Sequence, residues 1–189
     1  MRWRNSPERW GALAQTLHWT IALGVIGLVV VGLWMDELPN TPTKLEVYAL
    51  HKSVGITVLA LVLLRLAWRL IDQRPPLPPG MPAWERVLAG VTHGLLYLLL
   101  LVMPISGWLY NSAANFPLRW FGLFGLPALS GPDRALKALA HEIHETGFYV
   151  LAALFMLHVA GALKHHFLDR DPTLARMLPG LSPPVQDPP

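Results

Sequence analysis

Four stretches of this chain, about residues 12–35, 47–71, 87–110 and 143–167, are long and apolar enough to cross a lipid bilayer. A helix rises about 1.5 Å per residue, so roughly 20 residues cross the hydrocarbon. Hydrocarbon offers backbone groups no water to bond, so each stretch must satisfy its own peptide groups as a helix. The fold class expected is therefore all-α: an integral membrane four-helix bundle, up-down-up-down. Composition agrees, because 53% hydrophobic and 14% charged residues leave too little polar surface for a water-soluble domain. The first stretch exceeds the apolar core of a secretory signal, about 7–15 residues, and lacks an Ala-x-Ala site, so it reads as a retained helix. With no Cys, the chain cannot hold a disulfide, a thiolate metal site, an iron–sulfur cluster or a covalently attached haem.

The 15 Lys and Arg divide unevenly between the two ends of such a bundle. Arg2, Arg4 and Arg9 precede the first span. Arg65, Arg69, Arg74 and Arg86 flank the second connection, and Lys164, Arg170 and Arg176 follow the fourth span. Only Lys44, Lys52, Arg119, Arg134 and Lys137 fall at the opposite end. The positive-inside rule then places both termini in the cytoplasm. The connection at 111–140 is too interrupted to span and is expected to lie on the outer surface or cap the bundle. Residues 1–171 read as the membrane domain, and the Pro-rich 172–189 as a disordered cytoplasmic tail.

Eight His residues fall in this apolar chain, several of them inside spans, where an ionisable group is costly and points to function. Depth sorts four of them. His18 and His158 each lie about six residues, roughly 9 Å, from the cytoplasmic end. His51 and His144 both lie near the outer end. His144 and His158 are 14 residues apart, about 21 Å and close to four whole turns, so both project from one face of the fourth span. Facing helices that each give one imidazole can close a haem iron on both sides, at two stacked levels. A small residue follows each candidate by a turn (Ala22, Gly55, Gly147 and Gly161), leaving room for a flat ring. His93 competes for the inner pair, and otherwise suits a hydrogen-bonding or quinone-site role; His141 is an alternative to His144. His165 and His166 read as interfacial anchors. A His-lined proton or metal transporter is the other class considered, but the span interiors hold almost no carboxylates to accompany the His.

From about Asn5 to Pro179 the chain resembles a bacterial cytochrome b561. The resemblance rests on Pro7-Glu-Arg-Trp-Gly, Leu17-His-Trp19, Leu50-His-Lys-Ser-Val-Gly55 and His93-Gly-Leu-Leu-Tyr97. It continues through Pro104-Ile-Ser-Gly107, Ala162-Leu-Lys-His-His-Phe167 and Asp169-Arg-Asp. It implies two b haems with iron ligands at His18, His51, His144 and His158, pairing His18 with His158 and His51 with His144. It further implies electron transfer in the bacterial inner membrane between quinone and a small anionic or protein redox partner on the outer side, with no role in nucleic-acid binding. Superoxide:quinone oxidoreduction is one activity found in such proteins. A haem-bearing anchor subunit for a separate oxidoreductase needs the same ligands and stays open as the alternative. Lys52 and Arg119 at the outer site, and Arg9, Arg69 and Lys164 at the inner one, are candidates for pairing with anionic groups.

Overall fold

The computed structural model describes residues 2–180. Its four long helices are α1 (Ala12–Glu37), α2 (Pro42–Ile71), α3 (Ala83–Ala113) and α4 (Arg134–Phe167). Each contains a stretch apolar enough to cross a membrane, and they form the expected transmembrane bundle. The first and last described residues lie at one end, the terminal end; the α3–α4 connection lies at the other. Large apolar side chains such as Leu23, Val30, Leu63, Leu98 and Met156 point outward, as lipid-facing residues must.

Packing inside the bundle is uneven. Among the described residues α3 lies close along α4, α1 close along α2, and α2 meets α3; α4 has no comparable interface with α1 or α2. The buried apolar core is small, formed by Ile21 and Val25 of α1, Val58 and Val62 of α2, and Leu151 of α4. It lies at mid-depth, with Leu151 between His144 and His158 along α4.

Both ends are closed by polar stitching. At the terminal end Asn5 is buried; its Oδ1 accepts from the Gly11 amide at 2.7 Å and its Nδ2 donates to the Gln73 carbonyl at 2.7 Å. Asp72 accepts from the Asn5 amide at 2.8 Å and from Arg4 Nε at 3.2 Å. Those hydrogen bonds, the Asn5 amide first, hold the Asp72 carboxyl below the ordinary carboxylate range.

The 111–140 connection caps the opposite end with a short antiparallel hairpin, β1 (Leu118–Trp120) and β2 (Phe124–Leu126). Its turn places Phe121 and Gly122 at positive φ, 46° and 73°. Phe121 is held there because its amide donates to Ser53 Oγ of α2 at 2.9 Å, while Trp120 Nε1 donates to Thr57 Oγ1 at 3.0 Å. Helix α4 begins at Arg134, capped by the Asp133 side chain, nine residues before the start expected from hydropathy. At about 1.5 Å per residue, its 34 residues reach well beyond the hydrocarbon at the hairpin end.

The tail also departs from expectation. Thr173–Met177 forms a fifth helix, α5, strapped across the terminal end of α1. Gln15 Nε2 donates to the Arg176 carbonyl at 3.0 Å, Trp19 Nε1 to Met177 O at 2.9 Å, and Arg9 Nη2 to Leu178 O at 2.6 Å. A Pro-rich segment that satisfies the donors of three α1-side residues is not free chain. The remainder of the expected tail, 181–189, lies outside the described residues.

Candidate functional site

The four span histidines come together as two pairs. His18 of α1 and His158 of α4 have ring centres 6.1 Å apart with planes at 72°. His51 of α2 and His144 of α4 have centres 6.4 Å apart with planes at 69°. Each pair bridges two helices that do not otherwise pack closely. Facing imidazoles at these distances are the arrangement expected of two rings that share one metal.

Spacing tests that expectation. An imidazole nitrogen sits about 2.0 Å from a first-row metal and about 1.2 Å from its ring centre, so two axial rings on one iron lie about 6.3 Å apart, centre to centre. Both pairs are within a few tenths of an ångström of that value. A direct hydrogen bond between rings would bring the nitrogens closer than this. The donor set, two imidazoles with no carboxylate in contact among the described residues, suits haem iron.

The surroundings orient the rings. His144 Nδ1 lies 2.9 Å from the Met103 carbonyl and 3.1 Å from Ser106 Oγ, which leaves Nε2 for a metal; such partners fix the tautomer of a ligating His. Gly107 sits flat against the same ring: a Cβ there would be 3.2 Å from His144 Cε1. Gly32 does the same for His51, with 3.4 Å to Cε1. His51 Nδ1 is buried and has no hydrogen-bond partner among the described residues.

Gly55 and Gly161, one turn after His51 and near His158, face open space, as the sequence suggested. Gly147 differs. Its missing side chain is filled by Met103 Sδ, where a Cβ would approach to 2.6 Å. Space beside His144 comes instead from Gly107, on the helix across from it.

The other histidines separate clearly. His93 of α3 has its ring centre 5.1 Å from that of His158, nearer than a shared iron would hold them. His141 is exposed, 5.4 Å from the Tyr110 ring and 3.9 Å from Glu145. His165, expected to be a simple anchor, joins a compact ionic cluster: Nδ1 lies 2.6 Å from Asp171 Oδ2 and 3.1 Å from Asp169 Oδ2, and Nε2 lies 3.8 Å from Glu85. Lys164 Nζ completes it at 2.8 Å from Glu85 and 2.7 Å from Asp169. The sequence signal for this cluster was carboxylates at 85, 169 and 171 flanking a basic helix end.

Several cations proposed for anionic groups are engaged elsewhere. Lys164 is paired within that cluster, Arg9 donates to the Leu178 carbonyl, Lys52 to Asn111 Oδ1 at 3.1 Å, and Arg119 to the Gly122 carbonyl at 3.0 Å. Arg69 lies over the Tyr97 ring at 5.5 Å. Arg65, expected with the cytoplasmic flank, is half-buried and bridges α3 and α1. Its Nε donates to the Tyr97 hydroxyl and its Nη1 to the Ala14 carbonyl.

Known proteins of similar sequence share this whole length. The chain is 38% identical over 180 residues to cytochrome b561 homolog 2 of Escherichia coli, covering 94% of this chain and 95% of that one. It is 31% identical over 171 residues to cytochrome b561 homolog 1 of the same organism, covering 86% and 93%. It is 29% identical over 182 residues to a probable superoxide oxidase of Yersinia pestis, covering 91% and 97%. The family model for prokaryotic cytochrome b561 matches residues 9–180. A transmembrane four-helix bundle with imidazoles facing one another across its gaps, matched over nearly its full length by that family, belongs to the prokaryotic cytochrome b561 family of b-haem membrane electron-transfer proteins.

Proposed function

We propose that the chain carries electrons across the bacterial inner membrane through two b haems, one held by His18 and His158 and the other by His51 and His144. The observation that carries this reading is the ring spacing, 6.1 and 6.4 Å, at two levels of the bundle. Along α4 the two levels are about 21 Å apart, so neither alone spans the membrane and the two in series do. Bound haem supplies a one-electron iron couple at each level. The protein would supply the imidazoles that hold the iron and the orientation of His144 through Met103 and Ser106.

In this reading the terminal end, with its excess of Lys and Arg, faces the cytoplasm. The hairpin end faces a small anionic or protein redox partner on the outer side, and membrane quinone takes or gives the electrons. Superoxide oxidation is the specific activity favoured by the name of the Yersinia pestis relative. Two superoxide ions would each give up one electron, and one quinone would take two electrons and two protons.

Spectroelectrochemistry of the purified protein, with and without a quinone analogue, tests the proposal. It should resolve two b-type centres per chain, at least one of which responds to the analogue. A single centre that survives His144→Ala would defeat the ligand assignment. Two centres, neither of which exchanges electrons with quinol, would defeat the quinone assignment and leave the haem assignment standing.

A further inference from the structure

Arg65 is a half-buried cation with no anion beside it among the described residues. Its described hydrogen bonds run to two neutral oxygens, the Tyr97 hydroxyl at 2.9 Å and the Ala14 carbonyl at 3.0 Å. The guanidinium is therefore held between α3 and α1, with Nη2 left to donate. Among the described residues no carboxylate lies within 4.0 Å of it; Asp72, Glu85, Asp169 and Asp171 at this end pair with Arg4, Lys164 and His165 instead. A charge partly withdrawn from water gains from an opposite charge beside it, and a guanidinium fork matches a carboxylate in shape as well as sign. Position narrows the partner. Ala14 is one helical turn from His18 and Tyr97 is one turn from His93, so the guanidinium lies at the level of the His18–His158 pair.

We infer that Arg65 is the counter-charge of the His18–His158 centre, receiving a carboxylate of the haem held there and raising that centre's reduction potential. The inference rests on the ligand pairing proposed above. Its physical content is a sign. Ferric haem carries one more positive charge than ferrous, so a neighbouring cation favours the reduced form. Removing the cation also leaves the carboxylate unbalanced, which favours the oxidised form further.

The experiment compares Arg65→Gln and Arg65→Lys with the wild type by redox titration of the two centres and by haem content. Arg65→Gln should shift the His18–His158 couple at least tenfold towards the ferric form, about 59 mV lower for one electron, and leave the His51–His144 couple in place. Arg65→Lys, which keeps the charge, should recover most of the shift. A Gln variant with both haems and an unmoved couple, or with both couples moved equally, overturns the inference.

Should Arg65→Gln not fold, wild-type apoprotein loaded with haem or with haem dimethyl ester carries the same test. The ester lacks carboxylates, so the His18–His158 site should hold it at least tenfold less tightly than haem; equal retention overturns the inference. The pairing itself fails by a separate result, retention of both haems after His158→Ala.

Discussion

Gly107 is where the smallest change should have the most selective effect. A Cβ added there would lie 3.2 Å from His144 Cε1 and 3.4 Å from Nδ1, against the roughly 3.5–4.0 Å of comfortable carbon contact. The ring must give way by a few tenths of an ångström while Met103 and Ser106 hold its Nδ1, a distortion on the scale of an off-rotamer side chain, about 1 kcal/mol. That corresponds to about a fivefold loss of haem affinity at the hairpin-end pair for Gly107→Ala. The same substitution favours the helix by about 0.5–1 kcal/mol, so the fold should not weaken.

Gly107→Val goes further. Its methyls extend roughly another 1.5 Å from Cβ, into the volume of the imidazole itself, and the pair should lose its haem. The assay is the haem-to-protein ratio by pyridine haemochromogen, with the reduced spectrum and a thermal melt alongside. Gly107→Val is expected to carry one haem per chain, with the His18–His158 centre spectrally unchanged. A valine variant with two haems and an unaltered spectrum would show that His144 needs no space at Gly107, and would remove it from the proposed ligand set.

Other outcomes follow from the same structure. His158→Ala should remove one haem and leave the other, whereas His93→Ala should leave both, because only the spacing of His158 to His18 suits a shared iron; haem content decides. Ser106→Ala, which removes one of two polar partners of His144 Nδ1, should weaken haem retention at that level about tenfold, measured by transfer to an apoprotein acceptor. Gly11→Ala should lower the melting temperature by the equivalent of about 1–3 kcal/mol, because its Cβ would collide with the backbone of Trp3 and Arg4. The Asp72 carboxyl has a depressed folded value, so its contribution is present above the ordinary carboxylate range. It is lost as pH falls below about 4. A melt followed from pH 7 to pH 3 should lose stability there in the wild type and lose less of it in Asp72→Asn.

The spans were readable because hydropathy in a bilayer is nearly a structural rule, and the levels of the histidines because helical rise is constant. Positions that depend on distant partners were not. The hairpin's strands are three residues each, too short for any pattern, and are fixed by Ser53 and Thr57 more than sixty residues away. Helix α5 was hidden by proline-rich composition, since the carbonyls it offers to Gln15 and Trp19 leave no mark in its side chains. Gly147 was misjudged because a glycine's open side can be filled by a flexible Met from the next helix, and only packing reveals which glycine borders which ring. His165 was underestimated for a related reason: its carboxylate partners come from another helix start and from residues after its own helix ends.

The uneven packing of the bundle bears on how the protein comes into being. Helices α1 and α2 form one hairpin and α3 and α4 another, and the backbone joins the two halves mainly where α2 meets α3. Each proposed ligand pair draws one imidazole from the first half and one from the second. Haem arriving between them would then act as a clasp, stabilising the joined state by mass action in proportion to its supply. A cell short of haem would hold two inserted but loosely associated halves, open to membrane proteases, so the amount of protein would follow the amount of cofactor without any dedicated regulator.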